Sequence, residues 1–236
     1  MKLYLMRLAT IPPDGNPVPG YLIQTDNDST VLVDTGVPKA HIGAYGTFPE
    51  AVFQMDQEDH VVCQLARIGV APEDVRYLVC THYDLDHVGN HEDFPNSELV
   101  VQRAHHEAAL EIPRFLATRE HWDVPDRRRR MVDGDTELLP GVELIECGGH
   151  VPGHQAVLVR LPETGPVLLA IDAIPHSLLA DPDRRWPQPY DMDETKVRAS
   201  TRKLMDLVQR EGVTLTVYGH DPGQWAELRT LPDYYA

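Results

Sequence analysis

Val75-Arg-Tyr-Leu-Val-Cys-Thr-His-Tyr-Asp-Leu-Asp-His87 joins two different kinds of sequence. Val75–Cys80 is a short apolar run bounded by charge, the pattern of a buried strand. Thr81 to His87 is a burst of imidazole and carboxylate. A strand running straight into His82, Asp84, Asp86 and His87 sets four candidate metal ligands at one sheet edge.

Three later strands end in the same way. His150 stands in Gly148-Gly-His-Val-Pro-Gly-His154, after a strand near Val142–Ile145. Asp172 closes the strand Val167–Ile171, and His220 follows the strand Leu215–Tyr218 in Gly219-His-Asp221. Strand ends that meet at one edge gather such groups into a single site. Imidazole with carboxylate suits Zn, Fe, Mn or Co, and a carboxylate can bridge two cations where an imidazole cannot. A lone histidine is more often surface or hydrogen-bonded than a ligand, so His41, His60, His91, His105, His106 and His121 are left outside the set.

Further out, strands are expected at Leu3–Leu8 and Tyr21–Thr25 around a Pro/Gly-rich loop. Another, Thr30–Val33, follows a turn at Asp26–Asp28 and leads into Asp34-Thr35-Gly36. Val61, Leu65 and Ile68 give a helical stripe over 56–68, closed by Gly69. A strand at Leu99–Gln102 precedes a helix from about Ala104. Strands near Val142–Ile145, Ala156–Leu161 and Val167–Ile171 lead to a helix from about Glu194 to Arg210. Strands followed by helices in two similar halves imply an α/β fold of packed sheets with helices outside. No composition shift divides the chain, so residues 1–236 are expected to form one domain.

The ordered set resembles the metallo-β-lactamase superfamily, whose signature is an Asp-containing turn, then His-x-His-x-Asp-His, then single His, Asp and His ligands. His150-Val-Pro-Gly-His-Gln155, Val167-Leu-Leu-Ala-Ile-Asp172 and Tyr218-Gly-His-Asp221, with Leu231-Pro-Asp-Tyr234 at the end, are similar to the N-acyl homoserine lactonases within it. The resemblance implies an αββα sandwich and two divalent metal ions, zinc first and Fe, Mn or Co after it. His82 and His150 would bind one metal, Asp86, His87 and His220 the other, and Asp172 would bridge them. Asp34 would be a structural turn and His154 a supporting residue. The implied reaction is lactone ring opening by a bridging hydroxide, with Asp86 as general acid and Asp172 essential to the site. Another metallohydrolase activity, on a phosphotriester, thioester or other lactone, uses the same ligands. A diiron redox enzyme is the alternative that a carboxylate in the second ligand position suggests.

Two positions depart from the family. Asp84 stands where the second histidine belongs, and its carboxylate can reach the metal from the same backbone. Three carboxylates and a hydroxide then neutralise two divalent cations, where a histidine would leave the site at +1. Pro175 stands where the lactonases usually carry a substrate-binding tyrosine, which leaves adjacent His176 as a candidate replacement or as a plain loop histidine. The segment Ile112–Val124, with Phe115, Leu116 and Trp122, reads equally as an acyl-chain wall or as core, and the Pro-rich Ile11–Pro19 as a stiff rim.

The remaining features mainly exclude. A net charge of -16 opposes nucleic acid and anionic membranes, and the run Arg127–Arg130 reads as a solvated helix end or a salt-bridging face. Cys63, Cys80 and Cys147 are too few and too scattered for a disulfide framework; Cys63 and Cys80 read as buried small hydrophobes. No run approaches the ~20 apolar residues of a membrane-spanning helix, and the N-terminus lacks a signal-peptide pattern. The chain is expected to be cytoplasmic, a monomer or homodimer, with a small-molecule partner.

Overall fold

Alternation along the strands separates three apolar layers. The computed structural model describes residues 1–27, 29–43 and 52–236, so Asp28 of the expected turn lies outside the described residues. One sheet contains β1 (Lys2–Ile11), β2 (Asn16–Gln24), β3 (Thr30–Val33), β4 (Tyr77–Val79), β5 (Glu98–Gln102) and β6 (Arg129–Val132), in that spatial order. The other contains β7 (Thr136–Leu139), β8 (Val142–Glu146), β9 (Gln155–Leu161), β10 (Gly165–Ile171) and β11 (Leu215–Tyr218), ordered β11-β10-β9-β8-β7. The helices are α1 (Val61–Ala66), α2 (Leu85–Val88), α3 (Arg103–Ala109), α4 (Pro113–Leu116), α5 (Arg119–Trp122), α6 (Glu194–Glu211) and α7 (Pro222–Trp225).

Leu3, Leu5, Ile23, Val31 and Val79 of the first sheet meet Leu144, Val157, Val167, Leu169 and Val217 of the second. Their strand neighbours Tyr4, Met6, Leu22, Leu32 and Leu78 point the other way, onto Leu65 of α1, Ala109 of α3, Phe115 of α4 and Trp122 of α5. Leu158, Leu168 and Ala170 likewise face Leu204 and Leu207 of α6. Period-2 side-chain direction thus forces helix, sheet, sheet, helix, the αββα sandwich that the sequence implied. Each buried Leu or Val contributes roughly 1.5–3 kcal/mol. α6 begins where Asp193 accepts from Lys196 N and ends at Gly212, in the left-handed region at φ 61°.

β3, β4, β5 and β6 run parallel, as do β10 and β11. Their carboxyl ends therefore share an edge, and ligand loops leave from it.

Among the differences from expectation, three have a clear physical reason. β2 starts at Asn16, so Pro17 and Pro19 lie inside a strand; there β2 pairs with β1 alone, because its pairing with β3 covers only Tyr21–Gln24. A proline is tolerated where no second neighbour needs its N–H. The 56–68 helix divides into a 3-10 turn, Gln57–Asp59, and the shorter α1. The arginine run is no helix end: Arg129 and Arg130 open the edge strand β6, Arg127 just before it donates to Phe94 O and Ser97 Oγ at 2.7 Å each, and Arg129 pairs with Asp123 Oδ1 at 2.8 Å, the salt-bridging alternative. Charge along a sheet edge discourages pairing with another chain. All three thiols are free; Cys80 is buried, whereas Cys63 is only half-buried and accepts from Gln57 Nε2 at 3.3 Å. Among the described residues no helix is long and apolar enough to cross a membrane.

Candidate metal centre

Four histidines are fixed by what their Nδ1 atoms touch. Asp34, fully buried at the end of β3, accepts from Thr81 N at 2.8 Å and Thr81 Oγ1 at 2.7 Å. With its own proton committed to Asp34, Thr81 Oγ1 is left to accept from His82 Nδ1 at 3.0 Å. His87 Nδ1 donates to Asp34 Oδ2 at 2.8 Å, and His150 Nδ1 to Asp191 Oδ1 at 3.1 Å. His220 Nδ1 donates to the Pro17 carbonyl at 2.7 Å. Carboxylate and carbonyl oxygens only accept, so each imidazole carries its proton on Nδ1 and turns Nε2 inward, the arrangement that metal-binding histidines use.

Asp172 stands between two groups of these atoms. Its Oδ1 lies 3.1 Å from His220 Nε2 and 3.6 Å from His87 Nε2. Its Oδ2 lies 3.4 Å from His150 Nε2 and 3.8 Å from His82 Nε2. Asp84 Oδ2 joins the second group, 3.1 Å from His82 Nε2 and 3.2 Å from His150 Nε2. Asp86 Oδ2 joins the first, 3.6 Å from His87 Nε2 and 3.9 Å from His220 Nε2. His82, Asp84 and His150, and separately Asp86, His87 and His220, bring their ligand atoms within 4.8 Å of one another. All seven residues expected from the sequence are gathered here.

The backbone is shaped for this placement. Ile171, β-branched and in the left-handed region at φ 51°, precedes Asp172, a conformation that costs energy and clusters at functional sites. A Cβ on Gly219 would lie 2.8 Å from Ile171 O and 3.2 Å from Asp172 Oδ1, so glycine is what lets β11 deliver His220 beside Asp172.

The donor set fits divalent cations. His82 Nε2, His87 Nε2 and Asp172 Oδ1 are buried without a hydrogen-bond partner, a cost of roughly 1–3 kcal/mol each unless something else satisfies them. Four imidazoles and three carboxylates are the borderline-to-hard donors that such ions take. Burial and neighbouring His87 push His82 down to about 3, so its Nε2 lone pair is free. Burial opposes the charged form of His87, yet Asp86, Asp172 and Asp34 outweigh it and raise that imidazole to about 10. His150 is likewise raised to about 9, its burial outweighed by Asp191, Asp84 and Asp172. Asp172 is held well below the usual carboxylate range, because His220, His87 and His150 overcome its burial. Burial pushes Asp86 upward despite His87 and His220.

Several supporting residues were not legible beforehand. Asp191 accepts from His150 and is held in turn by Arg185 Nη2 at 3.1 Å and Gln188 N at 2.7 Å. Asp34, expected to be only a turn, anchors both His87 and Thr81. His105 receives Tyr83 N on Nε2 and gives Nδ1 to Pro152 O, at 2.8 Å each, which ties the first ligand loop to the loop carrying His150. Arg114 clamps both oxygens of Asp84: Nε donates to Oδ1 at 2.6 Å and Nη2 to Oδ2. Its guanidinium adds a positive charge beside the ligands, so two divalent cations, a hydroxide and three carboxylates would sit in a site of +1 rather than a neutral one. His154 is buried beside His82, with its Nδ1 3.2 Å from Cys147 Sγ.

A cavity of about 380 Å³ opens over the cluster, lined by Asp84, Asp86, His150, Asp172 and His220 with Ile11, Asn16, Phe53, Arg114, Pro175 and Tyr190. Ile11 and Asn16 bear out a rim contributed by the 11–19 segment. Of 112–124, Phe115 and Trp122 are core and Arg114 reaches the cavity. His176 does not line it. Its Nδ1 accepts from Leu178 N at 3.1 Å and its Nε2 faces Asp221 Oδ1 at 3.4 Å, so it caps a 3-10 turn away from the cavity.

The sequence profile of the metallo-beta-lactamase superfamily matches residues 13–220. The N-acyl homoserine lactonase AiiA of Bacillus thuringiensis subsp. kurstaki is 33% identical, covering 92% of this chain and 86% of its own. The N-acyl homoserine lactonase AttM of Azorhizobium caulinodans is also 33% identical, covering 93% and 87%. A solved structure of a B. thuringiensis AiiA mutant with N-decanoyl-L-homoserine at its active site superposes with a TM-score of 0.85. It is 30% identical and covers 99% of this chain and 98% of that one. An N-acyl homoserine lactone hydrolase with N-hexanoyl-L-homoserine at its catalytic metal centre matches equally, with the same TM-score, identity and coverage. By its sequence, its fold and the order of its strand-end ligands, the chain belongs to the metallo-β-lactamase superfamily and, within it, to the N-acyl homoserine lactonase family.

Proposed function

We propose that this protein hydrolyses the ester bond of N-acyl homoserine lactones, releasing N-acyl homoserines. In this reading His82, Asp84 and His150 would hold one divalent cation and Asp86, His87 and His220 a second, with Asp172 available to both. The observation that carries it is the division of Asp172 between the two groups, with Oδ2 facing His150 and Oδ1 facing His220 at 3.4 Å and 3.1 Å. Two bound cations supply Lewis-acid polarisation of the ester carbonyl and lower the pKa of water.

The chain's own residues do the rest. Asp34, Thr81, Asp191 and the Pro17 carbonyl hold the imidazoles in one orientation, so no reorganisation is needed during reaction. Asp86 turns Oδ2 toward His87 and His220, which leaves its other oxygen to pass a proton to the ring oxygen as the acyl C–O bond breaks. Water adds to the carbonyl carbon, the ring oxygen becomes a hydroxyl, and one proton is released with the new carboxylate. Ile11, Val52, Phe53, Leu85 and Tyr190 give the cavity an apolar wall suited to an acyl chain.

Zinc is the first metal to try, and the oxygen ligand Asp84 widens the choice to Fe, Mn or Co. The inner core shared by both sheets supports one domain over residues 1–236, acting as a monomer or homodimer. Three free thiols suit the cytoplasm, where turnover would remove an acylated signal lactone. The test is proton release on adding N-hexanoyl homoserine lactone to metal-loaded protein, with Asp172→Ala and Asp86→Asn beside it. Metal-dependent acidification lost in both variants is expected. Silence from fully loaded protein would redirect the search to phosphotriesters, thioesters and redox chemistry, and full turnover by Asp86→Asn would remove its acid role.

A further inference from the structure

The most unusual feature of the centre is that one of its carboxylates is shared with a cation of the protein itself. Arg114, on α4, reaches Asp84 with Nε and Nη2 in a two-pronged grip, and its Nη1 donates to the Tyr190 carbonyl at 2.6 Å. Nη2 also lies 3.5 Å from His150 Nε2. Neither partner is a loose surface group: the Asp84 side chain is 13% exposed and that of Arg114 28%. A guanidinium fork on a carboxylate is a rigid, charge-assisted contact. Held in this way, Asp84 turns Oδ2 toward His82 and His150.

The charges explain why such a clamp belongs here. With Asp84, Asp86 and Asp172 the ligand set carries -3, against -2 if position 84 were a neutral histidine. Arg114 returns the local sum to -2. The pair thus supplies one oxygen donor toward the metal and no net charge, as a histidine supplies one nitrogen donor and no net charge.

We infer that Asp84 and Arg114 form a single functional unit that replaces one histidine ligand, with Arg114 as the positioning residue that sets the charge and orientation of Asp84. This rests on the two-metal reading above. It has a consequence that neither residue shows alone. Introducing the family's histidine at position 84 strands Arg114 beside two cations with no carboxylate to neutralise it, so the conventional ligand should be the worse one here until the arginine is also removed.

The experiment is zinc affinity and stoichiometry, measured by competition with a chromophoric chelator, for the parent protein, Asp84→His, Arg114→Gln and the Asp84→His/Arg114→Gln double variant. Asp84→His should bind its second zinc at least tenfold more weakly than the parent, and the double variant should return to within about threefold of it. Asp84→Ala with and without Arg114→Gln repeats the comparison with a side chain too small to clash, and there too removal of the arginine should tighten binding. If Asp84→His binds two zinc ions as firmly as the double variant does, and Asp84→Ala is unaffected by Arg114→Gln, the unit does not exist. A parent protein that takes up no zinc, or whose uptake survives Asp172→Ala, overturns the metal centre itself and this inference with it.

Discussion

Asp191→Ala removes the group that links the metal centre to the protein interior. The Asp191 side chain is 1% exposed, and its oxygens are divided between His150 Nδ1 and Arg185 Nη2, each at 3.1 Å. Arg185 is fully buried, and its Nε already lacks a partner. Without Asp191 that guanidinium keeps one acceptor, the Trp186 carbonyl. Breaking a buried pair by deleting one partner costs about 3–5 kcal/mol, against a total stability of roughly 5–15 kcal/mol for a domain. At about 2–4 °C per kcal/mol for a chain of this size, the melting temperature should fall by roughly 6–20 °C.

The same substitution also frees His150 to rotate, and loss of such an outer partner typically weakens metal binding about 10–100-fold. The two effects separate in the Arg185→Met/Asp191→Ala variant. With no charge left to bury it should regain most of the stability, while zinc binding stays weak because His150 Nδ1 still has no acceptor. Urea unfolding in the presence of a chelator reads the first effect, and chelator competition the second. An Asp191→Ala protein within about 1 kcal/mol of the parent, and equal to it in zinc affinity, would refute the reasoning.

Three further outcomes are expected. His87 and His150, raised to about 10 and about 9 from an unfolded value near 6.5, stabilise the metal-free fold in full below about pH 6.5 and lose that contribution as pH climbs through 9 and 10. Because ligand nitrogens must be deprotonated, loading zinc at pH 8 should release at least about two protons, from His87 and His150, with any from His220 or metal-bound water added to them, and an indicator titration showing fewer than one would contradict the assignment. Gly89→Ala would set a Cβ 2.2 Å from Pro38 N and 2.3 Å from the Val37 carbonyl carbon; α2 must move, with a loss of about 1–3 kcal/mol in urea unfolding and weaker zinc binding through Asp86 and His87. His176→Ala should leave lactone turnover within about twofold of the parent, since this imidazole is engaged by Leu178 and Asp221, and a tenfold fall would give it a substrate role.

Much of this molecule was written locally. The near-continuous apolar runs of β9 and β10, buried on both faces, and the stripe of α6 set the layers, because short apolar runs and helical spacing are visible in any short window. The ligand candidates were legible for a related reason: all seven stand in or just after the segments that follow β4, β8, β10 and β11, so the sequence and its family resemblance could nominate them. The Pro17 and Pro19 positions show where a local rule misled, since the missing N–H matters only if a neighbouring strand is there to accept it.

What only the tertiary structure decided is the partner of each donor. Asp191 lies 41 residues from His150, Arg114 lies 30 from Asp84, and Asp34 lies 53 from His87. In sequence these are ordinary charges, indistinguishable from the solvated majority in a chain with 37 acidic and 21 basic residues. The clamp on Asp84 therefore could not be read beforehand, although it changes the charge of the site. A ligand atom is advertised by the strand that carries it; the group that neutralises or orients it is selected by proximity after folding, and proximity between distant loops leaves no periodic trace in the chain.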